Sequence, residues 1–308
     1  MSEKITGQQL AQVLSENGFI CDRVTRTSIQ VKTSKSRLDE VDTLLGVLKH
    51  LGAKYDSSAS GSSIGAIIVD NVKILIKSNS TTNVLAAEEL AIRQLNVYIM
   101  EAMVENGGSI AINCNGKIYH NIVKCESTKG TPKSDFHLVN NKGESVIWIS
   151  HKKGKSSKDF QQWGGITEKE IATKFKHIFD KITKIIKADI SAQKKDVDIM
   201  PNGESYFFSN IHKDLKMMSV YGVKYGAGYC EQNVQVLLQG NISLKKSGNH
   251  YELHADGHVH YNGDEMRGEF EPGIAVIYKG DRSQLDLRGA RATVSPAGGR
   301  KYKKVFKL

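Results

Sequence analysis

Helical and strand-like spacings of apolar residues follow one another along this 308-residue chain in an order that predicts a mixed α and β fold. Leu10, Val13 and Leu14 give a short first helix, and Ser28 to Thr33 alternate as a strand. Leu38, Val41, Leu44, Leu45, Leu48 and Leu51 recur at helical spacing up to a stop at Gly52. After a Ser/Gly-rich loop at 57–63, strands at 64–69 and 72–77 flank an Asp70-Asn71 turn, and the polar run 78–82 reads as a linker. A long helix from Val84 to Glu105, capped by Asn83 and ended by Gly107-Gly108, opens the middle of the chain. Strands at 109–113, 117–125, 134–139 and 145–151 come next. A further helix starts at Thr167, where Thr167-x-x-Glu170 has the spacing of a capping box, and carries Ile171, Phe175, Ile178, Phe179, Ile182, Ile185 and Ile186 as its apolar stripe. Beyond Asn202 the sequence turns Gly-rich and alternating, with strands at 234–238, 242–245, 251–254, 258–261 and 273–278. These elements predict three parts: an accessory α+β domain over 1–80, a core over 83–190 and a β-rich region over 200–308. The fold class is α/β (α+β), with helices flanking a sheet.

The stretch from Gly130 to Gly154 holds the most pointed chemistry. Asn140 to Gly143 supply turn residues between two β-prone runs, so the segment reads as a hairpin. If the turn pairs Val139 with Glu144, Asp135 falls opposite Trp148, near Ser150. Alternation then puts Asp135, His137 and Val139 on one face, and Trp148, Ser150 and Lys152 likewise on one face. An acid and a lysine converge at the open end. Such a pair is either an ordinary cross-strand ion pair, worth about 0.2–1 kcal/mol, or the start of a reactive site.

Charge bears on the partner, which is either a polyanion or none, the lysines then being a solvated face of a soluble basic protein. The chain carries a net +10, its pI is near 9.2, and residues 115–187 hold fifteen Lys and no Arg against seven acidic residues. A basic patch around the hairpin suits a polyanion, because lysines that neutralise phosphates release condensed counterions. The four cysteines are far apart in sequence and form no Cys-x-x-Cys pair, which argues against a zinc knot and a disulfide framework and for a reducing cytoplasm. No signal-like N-terminus and no apolar run of about 18 residues is present, so a soluble intracellular protein is expected.

Gly130-x-Pro132-Lys133-Ser134-Asp135 entering one strand and Ser150-His151-Lys152 leaving the next resemble the PD-(D/E)xK, or restriction-endonuclease-like, nuclease superfamily, over roughly residues 83–187. The resemblance implies a mixed sheet flanked by helices and Mg²⁺- or Mn²⁺-dependent hydrolysis of DNA. Asp135 would be a metal ligand, the His151 carbonyl a further oxygen ligand, and Lys152 the group that orients the attacking water and stabilises developing charge. Ser150 stands where most members carry Glu or Asp. In Ser-x-Lys members the second carboxylate comes from a following helix, which makes Glu168 or Glu170 eligible. Glu168 is preferred because Glu170 already has a capping role. Glu88 and Glu89, on the helix before the sheet, are the alternative. By the same analogy the protein would act as a homodimer, and its Lys-rich style with unfamiliar end domains resembles that of proteins encoded by bacteriophages, active in a bacterial cytoplasm.

Lys133, Lys153, Lys155, Lys158, Gln161 and Gln162, ahead of Trp163, suit contact with a DNA backbone, either that or a polar loop ending in one packed tryptophan. Arg282, Arg288, Arg291 and Arg300 give the C-terminal region the means to read DNA, or to make structural pairs with Asp281. His254, His258 and His260 with Asp256 are either a metal site or ordinary strand histidines. The run Tyr221 to Gly228 lacks the lysine of a P-loop, and no Gly-x-Ser-x-Gly elbow occurs. Two rival functions remain open: a nucleic-acid-binding or virion-associated structural protein, and a carbohydrate- or protein-binding C-terminal β domain.

Overall fold

A computed structural model describes residues 4–33, 37–56, 63–78, 83–130, 132–160 and 162–308. In chain order the elements are α1 (Gly7–Glu16), β1 (Ile20–Val24), β2 (Ser28–Thr33), α2 (Arg37–Leu48), β3 (Lys54–Tyr55), β4 (Ser63–Val69), β5 (Val72–Ser78) and α3 (Asn83–Asn106). They continue with β6 (Ile110–Cys114), β7 (Lys117–Ser127), β8 (Phe136–Asn140), β9 (Ser145–Lys152), β10 (Gly164–Gly165), α4 (Lys169–Lys174), α5 (Lys176–Ala192) and β11 (Ser205–Ser209). The last are α6 (Lys213–Tyr221), β12 (Val236–Gln239), β13 (Ile242–Ser247), β14 (His250–Ala255), β15 (Val259–Tyr261), β16 (Pro272–Gln284), β17 (Leu287–Pro296) and β18 (Lys304–Lys307). The protein is thus a mixed α and β fold. Residues 57–62 of the predicted Ser/Gly loop and 79–82 of the predicted linker lie outside the described residues, while Ser63 and Ser78, the remaining residues of those segments, belong to β4 and β5.

The chain forms two units, each built from separated stretches. The first comprises residues 1–127, 135–146 and 241–256. Its N-terminal sheet has the order β1-β2-β5-β4-β3, mixed because β2 and β5 run parallel. Alternation along β2, β4 and β5 puts Ile29, Val31, Ile67, Val69, Ile74 and Ile76 in one core with Leu10 and Leu14 of α1 and Val41, Leu44 and Leu48 of α2. A second run of strands in this unit is ordered β13-β14-β6-β7-β8. Here β6 pairs in parallel with β14, Tyr251 facing Ile112, and antiparallel with β7. The second unit comprises residues 128–134, 147–240 and 257–308. It holds the run β9-β12-β15, with β9 and β12 parallel, and the sheet β10-β17-β16-β11-β18. Its core gathers Phe175, Phe179, Ile182 and Ile186 with Tyr206, Phe208, Leu215, Ile274, Val276 and Val294.

The single helix expected from Thr167 is two. The chain enters α4 at Glu168, which has no side-chain capping bond, so the predicted Thr167–Glu170 box is not formed. Phe175, at φ −112° and ψ 20°, then separates α4 from α5 while burying its ring. The two units also cut across the predicted 83–190 core, whose residues are shared between them.

Candidate functional site

Asn140 builds the hairpin turn. Its N–H donates to the Glu144 carbonyl at 3.0 Å, while its Oδ1 accepts from the Lys142 and Glu144 N–H groups at 3.0 and 2.9 Å. Gly143 adopts φ +81° and its N–H returns to the Asn140 carbonyl, giving a three-residue loop with a left-handed last position. The closing pair is therefore Asn140 with Glu144, one residue later than the predicted Val139 with Glu144. Counting back, Leu138 rather than His137 comes opposite Val146. Asp135 lies at a bend before β8, so strand alternation does not set its direction. It belongs to the first unit, and the Ser150-His151-Lys152 triplet to the second.

In the second unit β9 runs parallel to β12, with Ser150 beside Leu237 and Lys152 beside Gln239. Ser150 is fully buried, His151 is 8% exposed and Lys152 is half-buried. The carbonyls of Trp148 and Lys152 accept from Gln235 and Gly240 at 3.0 and 2.9 Å, both on the β12 side. Peptide groups alternate along a strand, so the carbonyls of Ile149 and His151 point to the other edge. Ile149 O confirms the direction by accepting from the buried Ser134 hydroxyl at 3.2 Å, one residue before Asp135 in sequence. The His151 carbonyl is thus presented on the edge away from β12. Its ring Nε2 lies 2.8 Å from the Gly240 carbonyl.

Lys133 has a different task from the expected one. Its ammonium donates to the Trp163 and Ser219 carbonyls at 2.6 and 2.8 Å, which ties the Pro132-Lys133 segment to β10 and α6. An ammonium committed to two carbonyls is a structural group rather than a surface contact for phosphate.

Glu168 is exposed at the start of α4, and Glu170, lacking the capping bond that set it aside, is equally exposed in the first turn. Glu88 and Glu89 are half-buried on α3 in the first unit. Among the described residues no group of three or more His, Cys, Asp or Glu side chains gathers as a metal cluster. A magnesium site with one or two carboxylates, completed by carbonyl oxygen and water, requires no such cluster.

Lys153, Lys155 and Lys158 project from a loop whose backbone is tightly held. The Asp159 carboxylate accepts from the N–H groups of Lys155 and Ser156 at 2.8 and 2.9 Å and from the Ser156 hydroxyl at 3.0 Å. Those bonds, the Lys155 N–H first, hold its carboxyl below the usual range. Gln239 Nε2 donates to the Ser156 carbonyl at 2.8 Å from beneath, and Ser157 Oγ donates to Glu269 at 2.9 Å. Gln162 accepts from Arg291 at 2.7 Å, and Gln161 lies outside the described residues. Asp159 and Gln239 were not anticipated as site residues. The Ser156-x-x-Asp159 spacing was the available signal for the first, whereas nothing local marks Gln239.

Among the described residues His254, His258 and His260 are not part of a group of three or more side chains that could hold a metal ion. His254 is on β14 in the first unit, and His258 and His260 are in the second. His260 packs between Trp163 and Phe270, at centroid distances of 5.6 and 5.2 Å. The four cysteines are free, and burial pushes the Cys114 thiol up to about 12 and Cys125 well above its ordinary value, so neither is a nucleophile. Among the described residues no helix is long and apolar enough to cross a membrane.

No protein-family model and no solved structure matches the chain. Over 170 residues, 50% of this chain, the sequence is 24% identical to the type II restriction enzyme CviJI of Paramecium bursaria Chlorella virus IL3A, and the match covers 46% of that protein. The chain therefore spans about half the length of the curated relative it matches. The likeness supports a restriction-endonuclease-like relationship.

Proposed function

We propose that the protein is a metal-dependent endonuclease that hydrolyses phosphodiester bonds in DNA, on a PD-(D/E)xK plan with serine in place of the second acid. The likeness to a type II restriction enzyme over half the chain carries this reading. The Asp135 and Ser150-His151-Lys152 motifs, and the His151 carbonyl directed away from β12, support it. The proposed donors, carboxylates and a backbone carbonyl, are oxygens, a set that suits hard Mg²⁺ or Mn²⁺. Asp135 and the His151 carbonyl would hold the ion, and Glu168 or Glu170 of the α4 start, or Glu89 of α3, would complete it. Bound there, the ion supplies a Lewis acid for the phosphate and lowers the pKa of a water. Lys152 orients that water and offsets the charge that develops on the phosphate. The Lys153, Lys155 and Lys158 loop meets the DNA backbone next to it.

The second reading is a nucleic-acid-binding protein that keeps the plan without the chemistry, favoured by the buried, uncharged Ser150. Incubation of the purified protein with supercoiled plasmid and Mg²⁺ or Mn²⁺ separates the two. Nicking by the native protein, reduced about a hundredfold or more in Asp135→Ala and in Lys152→Ala, is the expected result. Equal nicking by all three proteins overturns the proposed site, and plasmid retention without nicking by the native protein establishes the second reading.

A further inference from the structure

The sheet β10-β17-β16-β11-β18 has two unlike faces. Ile274 and Val276 of β16 and Ala290, Ala292 and Val294 of β17 point into the apolar core. The alternate residues of β17, Arg291, Thr293 and Ser295, form with Ala275 and Ile277 the floor of a cavity of about 260 Å³. Lys158, Phe160, Gly299, Arg300 and Tyr302 complete its lining.

Three cations line this cavity and no carboxylate does. Among the described residues Lys158, Arg291 and Arg300 enter no ion pair. Part of the lining is also fixed before any ligand arrives. Arg291 is aimed by its bond to Gln162, and the Tyr302 ring stacks on Phe207 at 4.9 Å and 21°. Burial raises the Tyr302 pKa, so its hydroxyl stays a donor. Gly298 donates to the Glu269 carbonyl at 2.7 Å, and a Cβ there would lie 2.6 Å from both Glu269 Cβ and Ser157 Oγ, so the rim is locked to the lysine loop. The guanidinium forks of Arg291, already aimed, and of Arg300, with hydroxyl donors beside them, match the oxygens of a phosphate. Pockets that enclose whole small ligands run to about 300–1,000 Å³. This one is smaller and suits a single group.

We propose that the cavity binds a phosphate group, delivered by the backbone of DNA that also meets the lysine loop. That source, unlike the pocket itself, rests on the endonuclease reading. The test compares the native full-length protein with Arg291→Gln, Arg300→Gln, the double variant and Arg288→Gln, an exposed β17 arginine that does not line the cavity. Inorganic phosphate binding is followed by isothermal titration calorimetry. Duplex binding is followed by fluorescence anisotropy without divalent ions over a range of salt. The double variant loses phosphate affinity and duplex affinity at least about tenfold, and its slope of log K against log salt shrinks by about two. Arg288→Gln keeps the phosphate affinity. Loss of phosphate binding with unchanged duplex binding supports the pocket and assigns it to a free phosphate ester, overturning the DNA source. A double variant that behaves as the native protein does towards both overturns the pocket. Lys158→Gln, on the exposed loop, repeats the measurement should an arginine variant fail to fold. No readout involves cleavage, so absence of nuclease activity leaves this test intact.

Discussion

At position 260 an imidazole sits among aromatic rings with its Nε2 buried and without a hydrogen-bond partner among the described residues. Burial first, and the charge of His258 second, push its pKa down to about 4, against an opposing pull from Asp264. The folded state therefore holds a neutral ring, whereas the unfolded chain takes up a proton near 6.5. Its contribution to stability is fully present above about 6.5 and is lost as pH falls towards about 4. His260→Phe keeps an aromatic body in the slot and removes the proton acceptor. Melting temperatures recorded from pH 7.5 to 4 are expected to fall less steeply in the variant, with no loss at pH 7.5. An equally steep fall in both proteins contradicts this account. Lys133 teaches a related lesson at the same scale. From sequence it is one lysine among many in a basic stretch, and only its two carbonyl partners, 30 and 86 residues away, show that it holds the fold.

Among the elements, the lysine loop after β9 is where local geometry bears on binding most directly. Gly154 adopts φ +83°, and a Cβ there would stand 2.2 Å from Asp159 Cβ and 2.6 Å from its Oδ2, the carboxylate that organises Lys155 and Ser156. Gly154→Ala thus combines a left-handed backbone, costing about 1–2 kcal/mol, with a clash at the loop's own anchor. Chemical denaturation should show a loss of about 2 kcal/mol, and duplex affinity should fall several-fold although no charge is removed. Full affinity with full stability would mean that the loop's shape is irrelevant to binding. Most strands and the long helices were legible from periodicity, because alternation along β6 to β9 and the spacing in α3 are local signals. The α4–α5 break was not, since Phe175 fits the apolar stripe equally well in one helix or two. The hairpin register slipped by one because Asn140 can pair across the turn as well as begin it, and its side-chain bonds decided the matter. Neither α6 nor β17 was anticipated; β17 interleaves Arg and small residues, Leu-Arg-Gly-Ala-Arg-Ala-Thr, too weakly apolar to stand out.

For the molecule as a whole, the pairings that local patterns could not supply are the parallel ones. β6 lies beside β14, with Ile112 facing Tyr251, and β9 lies beside β12, with Ser150 facing Leu237. Those partners come from beyond residue 200, so the predicted core at 83–190 is complete in sequence yet lacks strands that border it in space. An excised fragment spanning 83–190 would leave one edge of β6 and one edge of β9 without hydrogen-bonding neighbours, and naked edges recruit other chains. Such a fragment is expected to precipitate or form large oligomers in size-exclusion chromatography, whereas the full chain stays dispersed. A monodisperse, cooperatively melting fragment would show that the outlying strands are dispensable. The same crossing of the backbone between units makes dissection by simple truncation a poor route to the catalytic question. Point substitution in the intact polypeptide is the cleaner tool, because it leaves every ladder of the β-structure closed.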